Sequence, residues 1–204
     1  MGAAFAAALC LASLVLAIFG TGVRGTDAAL FATGRFSFLL FWPAYAGGAA
    51  AALFGPVFHP LRRNGREFGL AFASAHVVHM GLVAWLCYIG AVPGLRTFVF
   101  FGVAAVWIYL LAALSLPGLR ARLDDRTWWW LRILGLNFIA YAFARDFVQF
   151  RLGGARHMVE YVPFAALAIG GPVLRLAAFG ARIGQTRRAP TAAAPPAPRP
   201  AAAP

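Results

Sequence analysis

Six apolar runs, at residues 3–19, 36–58, 68–92, 97–116, 128–150 and 158–179, divide the chain. At about 1.5 Å of rise per residue, a helix over each is long enough to cross, or nearly cross, a hydrocarbon core of about 30 Å. Polar breaks at 24–35, 59–67, 93–96, 117–127 and 151–157 separate them. Water-soluble domains average about 25% charged residues. Here 12% are charged and 62% hydrophobic, with a mean hydropathy of +0.75. This excludes a single water-soluble domain. The expected fold class is all-α: a polytopic integral membrane bundle of six transmembrane helices over residues 1–180. A basic, Ala/Pro-rich disordered cytoplasmic tail is expected over 181–204. No positive charge precedes the first run, and Leu9 before Cys10 breaks a lipoprotein cleavage box, so the run reads as a retained helix.

The formal net charge is +12, and all 18 basic residues are arginine. Arginines dispersed between apolar runs argue against a nucleic-acid partner and for membrane borders, where the side chain snorkels to headgroups. In a six-span layout Arg62, Arg63, Arg66, Arg120, Arg122 and Arg126 share one side with Arg175, Arg182, Arg187, Arg188 and Arg199. Only Arg24, Arg35, Arg96, Arg151 and Arg156 fall on the other. The positive-inside bias then expects both termini in the cytoplasm of a bacterial inner membrane, with Trp128-Trp129-Trp130 as an interfacial anchor. Ala44, Gly48 and Ala52 suit close helix approach, and Pro43, Pro163 and Pro172 are expected to bend their helices. Two isolated cysteines, Cys10 and Cys87, exclude structural zinc and dithiol chemistry.

Polar side chains inside the runs are the candidates for chemistry, because an ionisable group within a bilayer is costly. His79 falls near the middle of the third run, and His76 lies one turn earlier on the same face. Two readings are open for the pair. A neutral imidazole in an apolar site is a natural ligand of haem iron. Alternatively, the rings are interhelical hydrogen-bonders with Ser74 nearby. In the fifth run Asn137, Tyr141, Arg145 and Gln149 recur at a spacing of four and are expected to face protein. They would serve as helix–helix glue or as the lining of a cofactor or substrate pocket. Asp146 is expected to pair with Arg145 or Arg151, while His59 and His157 are expected in loops at opposite membrane edges. There is no phosphate loop or dinucleotide fingerprint, so no nucleotide cofactor is expected in this chain. The absence of a carboxylate pair within the runs, and of repeated halves, argues against a proton pump or carrier.

Several short stretches carry a resemblance. Thr33-Gly34, His59-Pro60-Leu61-Arg62, Arg66-Glu67-Phe68-Gly69-Leu70 and Trp130-Leu131-Arg132, with Tyr141, follow one another over residues 33–150. In order and spacing they resemble the ferric-reductase-like transmembrane domain family, in particular the haem-binding membrane subunits of bacterial methionine-sulfoxide reductase systems. The resemblance implies b-type haem, with His79 as iron ligand and His76 as an alternative ligand or hydrogen-bonder. Where the family has two histidines on the later helix, this chain has Arg132 and Arg145. A guanidinium has no lone pair to give to iron, so the resemblance implies at most one haem. The implied function is electron transfer across the inner membrane, with a quinone or a separate reductase as partner. The competing expectation is a non-catalytic assembly or interaction subunit that has lost haem.

Overall fold

The computed structural model describes residues 1–148 and 155–188, with side chains described for 1–148 and 160–184. Its regular structure is helical: α1 (Gly2–Phe19), α2 (Val23–Phe54), a 3-10 turn (Pro56–Phe58), α3 (His59–Arg63), α4 (Gly65–Tyr88), α5 (Leu95–Leu114), α6 (Pro117–Arg120), α7 (Asp125–Val148) and α8 (Ala155–Arg188). After α1, α2 and α4 the chain turns on Gly20, Gly55 and Gly90, with φ of 83°, 84° and 84°. Side chains rarely tolerate that backbone. The start of α7 is capped by Asp124, whose carboxylate accepts the Thr127 N–H at 2.8 Å. Hydrogen bonding from the Thr127 side chain, and then from its backbone N–H, holds the exposed carboxyl below its ordinary range.

Five helical segments are long and apolar enough to cross a membrane: Gly2–Phe19, Val23–Phe54, Gly65–Tyr88, Leu95–Leu114 and Glu160–Gly184. Their outward side chains include Ile18, Val106 and Leu176, at 65%, 65% and 71% exposure, a surface suited to lipid rather than water. The chain is an integral membrane protein. Helix α7 matches α4 in length, at 24 residues each, but carries Asp125, Arg126, Arg132, Arg145 and Asp146 and is not one of these five segments.

The stretch 24–35 is no polar break. Helix α2 begins at Val23 and runs for 32 residues, about 48 Å. Thr26 and Thr33 turn their hydroxyls onto the carbonyls of Gly22 (2.9 Å) and Ala29 (2.8 Å), so their polarity is absorbed by the helix itself. Small side chains then let α1 pack closely, and Ala8, Ala12, Ala29 and Ala75 form a core with Val78 and Leu82. Helix α8 likewise passes the expected boundary at 181 and continues to Arg188. It begins at Ala155, so His157 is helical and not in a loop. Both α2 and α8 continue through their prolines, Pro43, Pro163 and Pro172. Gln149, Arg151 and the expected tail at 189–204 lie outside the described residues.

Helices α2 and α4 pack antiparallel. Thr33 meets His79, Phe41 meets Phe72, and Ala44 faces Gly69. Phe38 on α2 joins Phe143 and Phe147 of α7 at ring separations of 5.1 and 4.9 Å, extending an aromatic core across the bundle. The close-approach face is not Ala44–Gly48–Ala52, because Gly48 and Ala52 are exposed. Gly47 takes that role: a Cβ there would lie 2.8 Å from Leu61 Cβ and 3.1 Å from the Leu61 carbonyl carbon. Nothing lies within 4 Å of a Cβ on Gly48. Gly47→Ala is therefore expected to cost about 1–3 kcal/mol through overpacking, read as a lower unfolding midpoint in detergent. Gly48→Ala is expected to leave the midpoint unchanged or slightly raised. Equal midpoints for the two variants would overturn this assignment of the contact.

Candidate functional site

His76 and His79 occupy the central turns of α4, one turn apart. Their rings stack, with centroids 4.9 Å apart and planes within 18°. The surrounding positions come from three helices. Helix α2 contributes Thr33 and Gly34, where a Cβ on Gly34 would lie 3.5 Å from His79 Cε1. Helix α5 contributes Tyr109, 6.5 Å from His76 between ring centroids. Helix α4 itself supplies Phe72, 5.6 Å from His76. The antiparallel register sets Ser37 of α2 level with His76, between the Thr33–His79 and Phe41–Phe72 contacts.

Thr33 is the polar partner of His79. Its hydroxyl oxygen lies 3.0 Å from His79 Nδ1 and 2.8 Å from Ala29 O. A threonine hydroxyl has one proton. Directed to the nearer carbonyl, that proton leaves the oxygen as acceptor for an Nδ1–H. Nε2 then keeps the lone pair. An imidazole whose far nitrogen is held by a protein acceptor is oriented as metal-bound histidines are. Among the described residues, His76 Nδ1, Ser37 Oγ and Tyr109 Oη are buried with no hydrogen-bond partner. Ser74, expected beside the histidines, instead donates to Met1 O at 3.0 Å, tying α1 to α4.

Among the described residues, no histidine of another helix faces this pair. On α7, the helix where the resemblance seeks opposing histidines, Phe143 and Phe147 are the side chains that pack on the aromatic rings Phe38, Phe41 and Phe72 of α2 and α4. The ring of Phe143 lies 6.0 Å from Phe72 and 5.5 Å from Phe41. Arg145 turns elsewhere, its guanidinium 4.2 Å from the centre of the Phe100 ring rather than beside Asp146. Arg132 lies over Trp128 at 5.7 Å.

The α7 stripe divides. Asn137 accepts from Tyr45 Oη at 2.8 Å and donates to Ile133 O at 2.7 Å. Tyr141 is 59% exposed and touches Phe100 edge-on, so it faces outward rather than into the bundle. His59 is exposed, but it opens the short helix α3 rather than lying in a loop.

Arg35 was not singled out by the sequence beyond its place in a presumed loop. It is held in an aromatic cage, with its guanidinium 3.2 Å from the Phe31 ring centre, 4.6 Å from Tyr161 and 5.2 Å from Phe164. One nitrogen donates to Phe31 O at 3.2 Å. Phe31 four residues earlier, on one helical face, is the signal that marks it.

A larger opening lies at the arginine-rich end. A cavity of about 1270 Å³ extends from Arg62 and Arg66 up to Phe41 and Phe72. Phe72 separates it from the histidine pair, neither member of which lines it. Comparisons with known protein families, with curated proteins and with solved structures found no match.

Replacing the Thr33 hydroxyl tests the tautomer assignment. Thr33→Val is expected to lower stability by about 1 kcal/mol and to let the His79 imidazole populate both neutral tautomers in nitrogen-15 spectra. An unchanged single tautomer and an unchanged midpoint would show that Thr33 does not hold the ring.

Proposed function

We propose that this chain is a divergent six-span membrane protein of the ferric-reductase-like type that carries at most one b-type haem and passes electrons between a quinone or separate reductase and an external acceptor. The observation that carries this reading is the Thr33–His79 bond, which leaves the Nε2 lone pair available in the middle of an apolar bundle. His79 would hold the iron. Bound there, a haem would supply one-electron redox chemistry. Thr33 keeps the imidazole in its tautomer and orientation. Phe72 shields the pair from the arginine-rich end, and the Tyr109 ring lies 6.5 Å from that of His76. Held by His79 as its one protein ligand, a bound haem would give a high-spin spectrum.

A second reading has its own support. The histidine rings stack tightly and Gly34 lies against His79, which suits polar glue between α2 and α4 in a non-catalytic assembly subunit. Pyridine-haem quantitation and the optical spectrum of protein produced with ample haem separate the two. The electron-transfer reading expects up to one haem per chain with a high-spin spectrum, lost in His79→Ala and shifted or weakened in His76→Ala. No haem at all would favour the assembly role. Two low-spin haems per chain would refute the single-ligand argument.

The proposed topology places both termini in the cytoplasm, because the arginines cluster at that end. Reporter fusions at Thr21, Arg96 and Arg156 are expected to read as external, and fusions at Arg66, Arg126 and Arg188 as cytoplasmic. Since α2 absorbs 24–35, the first external point lies in the turn after Gly20 rather than at Arg35. A reversed pattern, or no change of side across α7, would remove the six-span layout.

A further inference from the structure

The cavity at the arginine-rich end has two unlike halves. Its mouth carries Arg62, Arg63 and Arg66 around the start of α4. Arg120 before α7, Arg132 on α7, and Arg175 and Arg182 on α8 complete the ring. No Asp or Glu lines it. Arg120 pairs with Asp125, and Arg66 has Glu67 at 3.8 Å. Among the described residues the other five have no carboxylate within ion-pair distance. The inner half is apolar, walled by Phe41, Phe72, Ile108, Leu111 and Ile139. On one flank stand Leu176 and Phe179, which are 71% and 63% exposed on the lipid-facing side of α8.

Several of these guanidiniums are held in place by the protein rather than free in solvent. Arg175 donates to Tyr45 O at 3.2 Å and lies 4.5 Å from the Tyr45 ring centre. Tyr45 is in turn fixed by Asn137. Arg66 Nε donates to Ser115 O at 3.0 Å. Arg120 and Arg132 both lie over the Trp128 ring, at 5.5 and 5.7 Å. Each guanidinium has five N–H donors, so these contacts leave donors on every arginine. Gathering seven guanidiniums, five of them without a carboxylate partner among the described residues, is unfavourable until an anion neutralises them.

We infer that this cavity is a binding site for a phosphate-bearing lipid, with the phosphate among Arg132, Arg175 and the α3–α4 arginines and the hydrocarbon chain against the apolar inner wall. Arginine recognises phosphate through paired N–H donors. The apolar inner half and the exposed Leu176–Phe179 flank favour a lipid over a free ion, because they match a tail that a soluble phosphate lacks. This inference rests on the cavity alone and is independent of haem.

The test uses the full chain in nanodiscs of phosphatidylcholine, with and without phosphatidic acid, and reads retained lipid by native mass spectrometry. Four proteins are compared: wild type, Arg132→Gln/Arg175→Gln, Arg132→Lys/Arg175→Lys and Arg122→Gln/Arg126→Gln. The last pair removes two charges from the same end of the molecule but outside the cavity lining. Wild type is expected to retain phosphatidic acid in preference to phosphatidylcholine. The Gln pair at 132 and 175 is expected to lose that preference by about tenfold or more. The Lys pair, which keeps charge and tests that loss of fold is not the cause, is expected to fall between. The Arg122/Arg126 pair is expected to behave as wild type. Equal losses in the two Gln pairs would overturn the proposal in favour of general attraction to an anionic surface. Inorganic phosphate that displaces the lipid at similar concentration would overturn the lipid assignment, leaving a soluble anion as the ligand.

Discussion

The antiparallel contact between α2 and α4 sets the position of the rest of the bundle. It is held at one level by Thr33 on His79, at the next by Phe41 on Phe72, and beyond that by Ala44 against Gly69. In lipid, helix association gains little from removing apolar surface from water, so close packing and internal polar bonds must supply specificity. Both appear in this one contact. Alanines on its outer edge receive α1, and phenylalanines on its inner edge receive α7 and α8.

That packing also separates the two places where chemistry or binding can occur. The histidine pair lies midway along α4, enclosed by α2 and α5. The arginine cavity lies at one end, where α2, α4, α5, α7 and α8 diverge around a wall of apolar side chains. Phe72 stands between them, touching His76 on one side and lining the cavity on the other. A ligand in the cavity would therefore lie one aromatic layer from the histidines.

Arginine does three separate jobs in this chain. Arg35 is caged by aromatic rings within the bundle. Arg145 lies on Phe100 beside an outward-facing tyrosine. The cluster around Arg132 and Arg175 faces an opening without counter-charge. A side chain that is always charged must find π faces, carbonyls or anions wherever it is taken from water. The different neighbours decide which of these it finds.

The long apolar runs by themselves determined that the chain is helical and membrane-embedded, but not where the helices stop: runs read through to 58 and 92 are cut by positive-φ glycines at 55 and 90. The isolated polarity of His76 and His79 in an apolar run also marked them as interior residues, since apolarity is a local property. Helix extent was less legible where polarity is internally satisfied. The segment at 24–35 reads as a loop because Thr26, Thr33 and Arg35 look solvent-seeking, yet their partners are carbonyls four residues back and aromatic rings on other helices. Only the tertiary structure decided that Thr33 holds His79, that Phe143 packs on Phe41 and Phe72, that Tyr141 points outward while Asn137 meets Tyr45, and that arginines from α3, α4, α7 and α8 converge on one cavity. Each depends on the rotation and register of one helix against another, which arise from side-chain contacts between residues tens of positions apart.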